Sequence, residues 1–503
     1  MNVNLLYKDK DIGLNESLLW NADALIKDLS LSTIFDAMAC ENDFERNIAK
    51  RVILSSNRND INTILYRQHI LKDFISHPQE LSALYDIVTE AILIKKNNRF
   101  FLLSPNPSFM LYSEALLILD IIPCLKKMKK MADHVDGLFN SEGLNDFWKK
   151  IQNNLTDTFI KQIEYHLNYL KQHDDLYCSA QLGERNFGIN YTLHKPIKDK
   201  RNWWQRLMDR FFTKPSDMVF TISYRDESGM RALSEIRDEC LFETANYLTQ
   251  ISDSIFKFLY VLQAELTFYK ACLNLHKKLI SYNMDVCFPV IDKSNDRFVD
   301  CTELYDLSLL LSTGQKPVGN DLYTENKKLI IITGANKGGK TTFLRSVGIA
   351  LLLMNSGMFV PSKTMYASLC QTLLTHFKRE EDKTMNSGKL DEELFRMNEL
   401  INHIQSNTWV LFNESFAATN VKEGSEIAKQ IVSALYEKDI KVIFVTHLYD
   451  FAAYYYEKHL PDCLCLQAER RKDTTRTYKM VEGGPTETSY GQDIYNRIFN
   501  SFK

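Results

Sequence analysis

Glycine is thinly spread at one end of this chain: the first 282 residues hold six and the last 221 hold twelve. So few breakers over so long a stretch argue against a strand-and-turn architecture there. Long helices are expected first, then a region of strands and tight turns. Also missing is any Cys-x-x-Cys pair among the ten cysteines. Cys463 and Cys465 alternate as strand residues do, which is not zinc spacing, so reduced thiols in a cytoplasmic setting are the simplest expectation. There is no excess of one charge, since 61 Lys and Arg against 64 Asp and Glu leave a net charge of −3. A global pull toward nucleic acid is thereby excluded, and any such contact must come from a local patch. Met1 to Leu14 has no signal-like apolar core, and the apolar run after residue 343 is too short to cross a bilayer. The expectation is a cytoplasmic chain without a membrane span.

What is present is ordinary for a globular protein: 45% hydrophobic and 25% charged residues over 503 positions, enough for about two to four domains. From Leu18 to Lys171 apolar residues recur at helical steps, broken at Ser55–Asp60 and Ser104–Ser108. No internal repeat or low-complexity tract occurs. Arg231 to Phe288 contains neither glycine nor proline. Leu248, Ile251, Ile255, Leu259, Leu262, Leu266, Tyr269 and Leu273 form a near-heptad stripe there, and Phe256, Val261, Ala264, Phe268 and Leu275 form a second line. One helix of about 50 residues, roughly 75 Å long at 1.5 Å per residue, fits this pattern; two shorter helices in a bundle fit it too.

The segment Lys195–Lys214 is locally unusual, with seven basic and two acidic residues. Trp203, Trp204, Leu207, Met208, Phe211 and Phe212 would share one helical face. Lys195, Lys198, Lys200, Arg201, Arg206, Arg210 and Lys214 supply the charge. A helix docked on the core, a nucleic-acid contact and a membrane-surface helix all fit. The run Lys126, Lys127, Lys129 and Lys130 reads as a solvated helix face.

The sharpest chemical signal is Gly334-Ala335-Asn336-Lys337-Gly338-Gly339-Lys340-Thr341, which fits the glycine, four residues, glycine, lysine, serine-or-threonine phosphate loop. Leu329–Ile332 reads as a buried parallel strand before it and Phe343–Met354 as a helix after it. In that setting backbone N–H groups and a helix N-terminus face a triphosphate, with Lys340 on the β and γ phosphates and Thr341 on Mg²⁺. Trp409–Phe412 reads as a second buried strand that ends in Asn413-Glu414. An Asp that orients Mg²⁺ is expected where Asn413 stands, so Mg²⁺ binding and turnover should be weakened, while Glu414 suits the base that activates water. Lys441–Val445 reads as a third strand delivering Thr446-His447, with His447 suited to sensing the γ-phosphate. ATP and Mg²⁺ are the expected ligands.

Thr333 to Thr342 resembles the TGPNMGGKST motif of the MutS family of DNA mismatch-repair ATPases, part of the ABC-type superfamily. Gly357-Met358-Phe359-Val360-Pro361, Thr446-His447 and Ser489-Tyr490-Gly491 are similar to further motifs of that family, as are Arg67-Gln68 and residues 231–282. The resemblance implies an α+β multidomain protein: a helical core over residues 1–170, a basic and aromatic segment with a long lever helix over 171–282, and an α/β P-loop ATPase domain over 283–503. It also implies a homodimer through the ATPase domains, ATP-driven movement of the levers, and a nucleotide contact in trans from Ser387-Gly388. Gly334 to Thr342 would hold the nucleotide, Thr341 and Asn413 the metal, and Glu414, Lys340 and His447 the catalytic roles. The chain departs from the family at Asn413, at Leu390-Asp391 where Ser-Thr is usual, and at Ser415–Asn420 where the family has a glycine-rich turn. Family members that read mismatches carry a Phe-x-Glu wedge domain and a connector domain ahead of the helical core, for which the sequence before the first helical pattern leaves no room, so direct mismatch reading is not expected. DNA is the partner this implies, while RNA or a ribosome would suit the same motor plan, and so would a slow ATP-dependent switch that recruits a protein.

Overall fold

The computed structural model describes residues 2–13, 17–56, 60–98, 106–172, 177–184, 188–194, 221–223, 225–293, 297–379, 388–471 and 476–485. Eight helices come first: α1 (Ala22–Asp28), α2 (Leu31–Ala39), α3 (Asp43–Ile53), α4 (Ile61–Ser76), α5 (Pro78–Asn97), α6 (Pro107–His134), α7 (Glu142–Asn154) and α8 (Asp157–Gln172). A hairpin, β1 (Tyr177–Leu182) and β2 (Gly188–His194), precedes the unbroken α9 (Glu227–Ser281). Then follow β3 (Val290–Asp292), β4 (Val299–Leu304), α10 (Leu307–Thr313), β5 (Asn320–Leu322), β6 (Leu329–Thr333) and α11 (Lys340–Asn355). The chain continues with β7 (Thr364–Ser368), β8 (Thr372–Phe377), α12 (Lys389–Asn402), β9 (Thr408–Asn413), α13 (Val421–Glu437), β10 (Lys441–Val445), α14 (Tyr449–Glu457), β11 (Cys463–Arg470) and β12 (Arg476–Glu482). The helical first part and the strand-rich second part agree with the distribution of glycine. Segment Lys195–Lys214, with all seven basic candidates, lies outside the described residues, as do Ser387 and Ser489-Tyr490-Gly491.

Packing divides the chain into two compact units that do not follow consecutive stretches of sequence. The first holds residues 1–3, 82–139 and 145–263, and the second holds 4–81, 140–144 and 264–503. In the first unit α6 starts at a capped end: the Asn106 side chain accepts from Phe109 N–H, and Pro107 occupies the first turn. Its Leu111, Ala115, Ile118 and Ile122 meet Ile160 and Leu167 of α8 and Leu241, Ala245 and Leu248 of α9. By length and composition alone α6 is long and apolar enough to cross a membrane, a test that core helices also pass. Half of that apolar window is buried within the fold. The lysine run on α6 is paired at its surface, with Lys126 on Glu164, Lys127 on Glu90 and Lys129 on Asp133 and Asp157.

Of the two helical readings for residues 231–288, the single helix is the one observed. Ile251 departs from the expected stripe, being 53% exposed. From Ala264 to Tyr269 every residue of α9 is buried, so this stretch of the helix is enclosed on all sides. Within the second unit the buried Glu265 carboxylate on α9 accepts backbone N–H groups of Leu5, Leu6 and Ile12 at 2.6, 3.2 and 2.8 Å. Arg67 of α4, fully buried, donates through Nε to Leu6 O at 2.8 Å.

The second unit is built on a six-stranded sheet of order β12-β11-β6-β10-β9-β8. All its neighbours pair in parallel except β12, which is antiparallel to β11. Runs such as Leu329-Ile330-Ile331-Ile332 are buried on both faces, as helix-covered parallel strands must be. Val410 and Phe412 pack against Met397, Ala428, Val432 and Phe451 of α12, α13 and α14. Leu411 alternates to the other face, where it meets Gly348 of α11. A second sheet, of order β3-β7-β4-β5, also belongs to this unit.

Candidate functional site

The register of the parallel strands sets one row of residues side by side. Val445 of β10 pairs with Ile332 of β6 and with Asn413 of β9, and Asn413 pairs with Phe377 of β8. One residue further along, each strand turns out of the sheet. Thr446 N–H donates to Ile332 O at 3.0 Å, Glu414 N–H to Val445 O at 2.9 Å, and Lys378 N–H to Asn413 O at 2.9 Å. The glycine-rich loop, Glu414 and His447 therefore gather at the carboxyl edge of one sheet, where open α/β sheets bind ligands.

The loop leaves β6 through Gly334, whose φ is +113°. A Cβ there would lie 2.9 Å from the Ala468 nitrogen on β11, so only glycine lets the loop lie this close to the strand. Gly339 opens α11, whose first turn receives no side-chain cap. Its N–H groups are thus left for an outside acceptor, at the positive end of a 16-residue helix. Lys340 is buried, and its Nζ donates to the carbonyls of Gly334 and Ala335 at 2.8 and 2.9 Å. Burial brings its pKa down to about 8; Arg476 pushes in the same direction and Glu414 opposes it. Thr341 Oγ1 donates to Asn413 Oδ1 at 2.9 Å.

Glu414 Oε1 lies 2.9 Å from His447 Nε2. That hydrogen bond is the main reason the Glu414 carboxyl is held below its usual range, with burial working the other way. A cavity of about 460 Å³ opens between the loop Asn336–Thr342, Glu414, Pro317, Asn320 and Tyr478. This is within the roughly 300–1,000 Å³ typical of small-molecule sites. Gly334 and Ala335 are buried behind the lining. His447 and Asn413 reach the site through Glu414 and Thr341 rather than by lining the cavity. Gly388 precedes α12 as its N-cap and does not line this cavity. Pro317, Val318 and Asn320 line the cavity, whereas Tyr323 is 60% exposed and off the lining. Tyr478 was not legible in the sequence as a site residue. It sits on β12, which sequence places far from the loop and which only sheet pairing brings beside it.

The donor set fits a nucleoside triphosphate with a hard cation. Uncapped amides and an ammonium group face the cavity for phosphate, and a hydroxyl, an amide carbonyl and one carboxylate are oxygen donors of the kind Mg²⁺ takes.

A parallel sheet that carries a glycine-rich, anion-facing loop and helix N-terminus at its carboxyl edge, joined to an all-helical first part, defines a mixed α/β multidomain class. Two family models divide this chain: MutS2 N-terminal domain matches residues 59–282, and MutS domain V matches residues 330–500. The chain belongs to the MutS family. It is 22% identical over 395 residues to the DNA mismatch repair protein MSH3 of Candida glabrata, a match covering 75% of this chain and 37% of that protein. It is 30% identical over 184 residues to the DNA mismatch repair protein MutS of Thermotoga maritima, covering 36% of this chain and 23% of that protein. To Endonuclease MutS2 of Streptococcus thermophilus it is 30% identical over 175 residues, covering 34% of this chain and 22% of that protein. The chain thus spans about a third or less of the length of these relatives.

Proposed function

We propose that this chain is an ATPase with a P-loop, ABC-type motor region that couples ATP binding and hydrolysis to a helical grip on DNA. The observation that carries this reading is the single row of strand ends, with the glycine-rich loop and Glu414 around one cavity and His447 bonded to Glu414 behind it. In this reading Gly334 to Thr342 hold the triphosphate, and Lys340 exchanges its two carbonyl partners for the β and γ phosphates. Thr341 and Asn413 hold Mg²⁺, which supplies charge neutralisation on the phosphate oxygens. Glu414, ionised at neutral pH, takes the proton of the attacking water. His447 keeps the Glu414 carboxylate aimed and reports the state of the γ-phosphate.

The neutral Asn413 would help hold Mg²⁺ without adding charge, and this favours slow turnover. A slow ATP-dependent switch that recruits a protein partner is accordingly the second reading. We propose residues 1–170, 171–282 and 283–503 as functional regions, of helical core, lever and motor, distinct from the packing units. The motor regions would pair in a homodimer, with Ser387-Gly388 of each copy completing the other's site. Lys195, Lys198, Lys200, Arg201, Arg206, Arg210 and Lys214 are the candidate contacts to phosphate backbone. DNA is proposed because the chain is similar to DNA mismatch repair proteins; direct reading of mismatches is not proposed.

The test measures ATPase rate with and without duplex DNA or ribosomes, for wild type and Glu414→Gln. The expected result is a slow rate, changed by DNA and abolished by Glu414→Gln, with DNA affinity falling steeply as salt rises. A rate that responds to ribosomes and not to DNA would overturn the DNA assignment, and a rate untouched by Glu414→Gln would overturn the ATPase itself.

A further inference from the structure

The turn after β9 is held in a conformation that its own sequence does not favour. Glu414 and Phe416 both adopt left-handed backbone, with φ of +52° and +62°. For residues with a Cβ this costs about 1–3 kcal/mol each, and it persists only where the surroundings impose it. Here the surroundings are specific. The Phe416 N–H donates to Glu393 Oε2 of α12 at 2.8 Å, and Phe416 and Glu393 are 0% and 4% exposed. Between the two left-handed residues, the Ser415 hydroxyl lies 2.7 Å from His376 Nδ1 and 2.6 Å from His376 O. His376 Nε2 lies 3.0 Å from Glu393 O.

Burial brings the His376 pKa down to about 4, so the ring is neutral and carries one N–H. A carbonyl can only accept, hence Nε2 donates to Glu393 O and the Ser415 hydroxyl donates to His376 O, with Nδ1 facing the same hydroxyl. The Phe416 ring stacks on this imidazole, with centroids 5.3 Å apart. From the far side α13 closes in so tightly that a Cβ at Gly424 would lie 2.3 Å from Phe416 O. The turn is thus tied twice to α12, through the Glu393 carboxylate and through His376 to the Glu393 carbonyl. That helix begins at Lys389, with Gly388 as its N-cap.

We propose that Glu393 is the positioning residue for Glu414, a strut through which α12 sets the direction of the general base. Displacement of the α12 N-terminus by a partner copy would then be felt at Glu414 through one buried carboxylate. The inference rests on reading Glu414 as the base of an ATPase. Glu393 does not line the cavity and acts only through the turn.

The experiment compares full-length wild type with Glu393→Ala and Glu393→Gln. It reads kcat and KM for ATP hydrolysis, affinity for a fluorescent ATP analogue, and hydrogen exchange at the Phe416 amide. Loss of the strut should lower kcat about 10- to 100-fold, as misplacement of a reacting group by about 1 Å does. Analogue affinity should stay near wild type, while the Phe416 amide loses protection. Glu393→Gln keeps a carbonyl oxygen facing that amide and should recover most of the rate. Wild-type kcat in Glu393→Ala, or equal impairment of the two variants, would overturn the strut. Should Glu393→Ala not fold, Glu393→Asp, which withdraws the carboxylate by one methylene, is read the same way: a fall in kcat at constant KM supports the strut, and unchanged kcat refutes it. An ATPase that is lost in Glu414→Gln yet intact in Glu393→Ala defeats this inference alone. A wild type that binds no ATP analogue defeats the underlying reading.

Discussion

At the level of single residues, the site is legible wherever chemistry demands one residue type at a fixed spacing. Gly334 cannot carry a Cβ against Ala468, Lys340 must supply an ammonium group beside the loop, and both announce themselves in sequence. Glu393, His376 and Tyr478 do not. Each acts through a partner dozens of residues away or more, and a buried histidine or glutamate leaves no local pattern. Asn413 is the most consequential departure. Its Oδ1 is the acceptor for Thr341, where a carboxylate would have added a full negative charge beside a metal. Replacing it as Asn413→Asp restores that charge. Mg²⁺ affinity should tighten and the ATPase rate should rise, by about tenfold each if the added charge contributes on the order of 1.4 kcal/mol. Titrating Mg²⁺ against the rate and against nucleotide affinity checks this; no change in either would show that Asn413 is not at the metal.

Among the elements, β6, β9, β10, α11 and the unbroken α9 follow from runs of apolar residues and from missing breakers, and all stand close to the expected boundaries. The small sheet β3-β7-β4-β5 has short strands with no strong alternation and was not expected from sequence. Nor was the capture of Leu5, Leu6 and Ile12 by Glu265, some 250 to 260 residues away in the chain. Contacts of that range have no footprint in a sliding window.

One element carries a testable charge. Lys441, at the start of β10, is 2% exposed and, among the described residues, has no carboxylate hydrogen-bonded to it. Its Nζ donates to Thr324 O at 3.1 Å, to Thr324 Oγ1 at 2.9 Å and to Arg297 O, and lies 4.7 Å from the centre of the Trp409 ring. Burial takes its pKa down to about 7. The unfolded chain, with an ordinary lysine near 10.5, therefore binds the proton more tightly than the folded chain does. Between those two values folding releases a proton, so stability rises with pH by at most about 1.4 kcal/mol per pH unit. Denaturant unfolding at pH 7 and pH 9 should show this gain of roughly 2 kcal/mol in wild type and its loss in Lys441→Met. A Lys441→Met variant with the same pH slope as wild type would contradict the assignment.

For the whole molecule, sequence gave the succession of a helical part and a strand-rich part, but not the two packing units, because residues 4–81 join the sheet-bearing unit across most of the chain. A site finished by Ser387-Gly388 of a second copy would make hydrolysis depend on association. ATPase rate per chain should climb as protein concentration passes through the range in which dimers form, as followed by light scattering. A rate that is flat across that range would mean each copy carries a complete site.

The central claim is that the loop and helix start at the sheet's carboxyl edge clasp a triphosphate with the buried Lys340 supplying an ammonium group inside the clasp. Equilibrium binding of a fluorescent ATP analogue to wild type and Lys340→Ala tests it most directly. A loss of about 100-fold or more in affinity is predicted, in line with removing a buried charge-assisted contact worth roughly 3 kcal/mol. Undiminished affinity in Lys340→Ala would contradict the account.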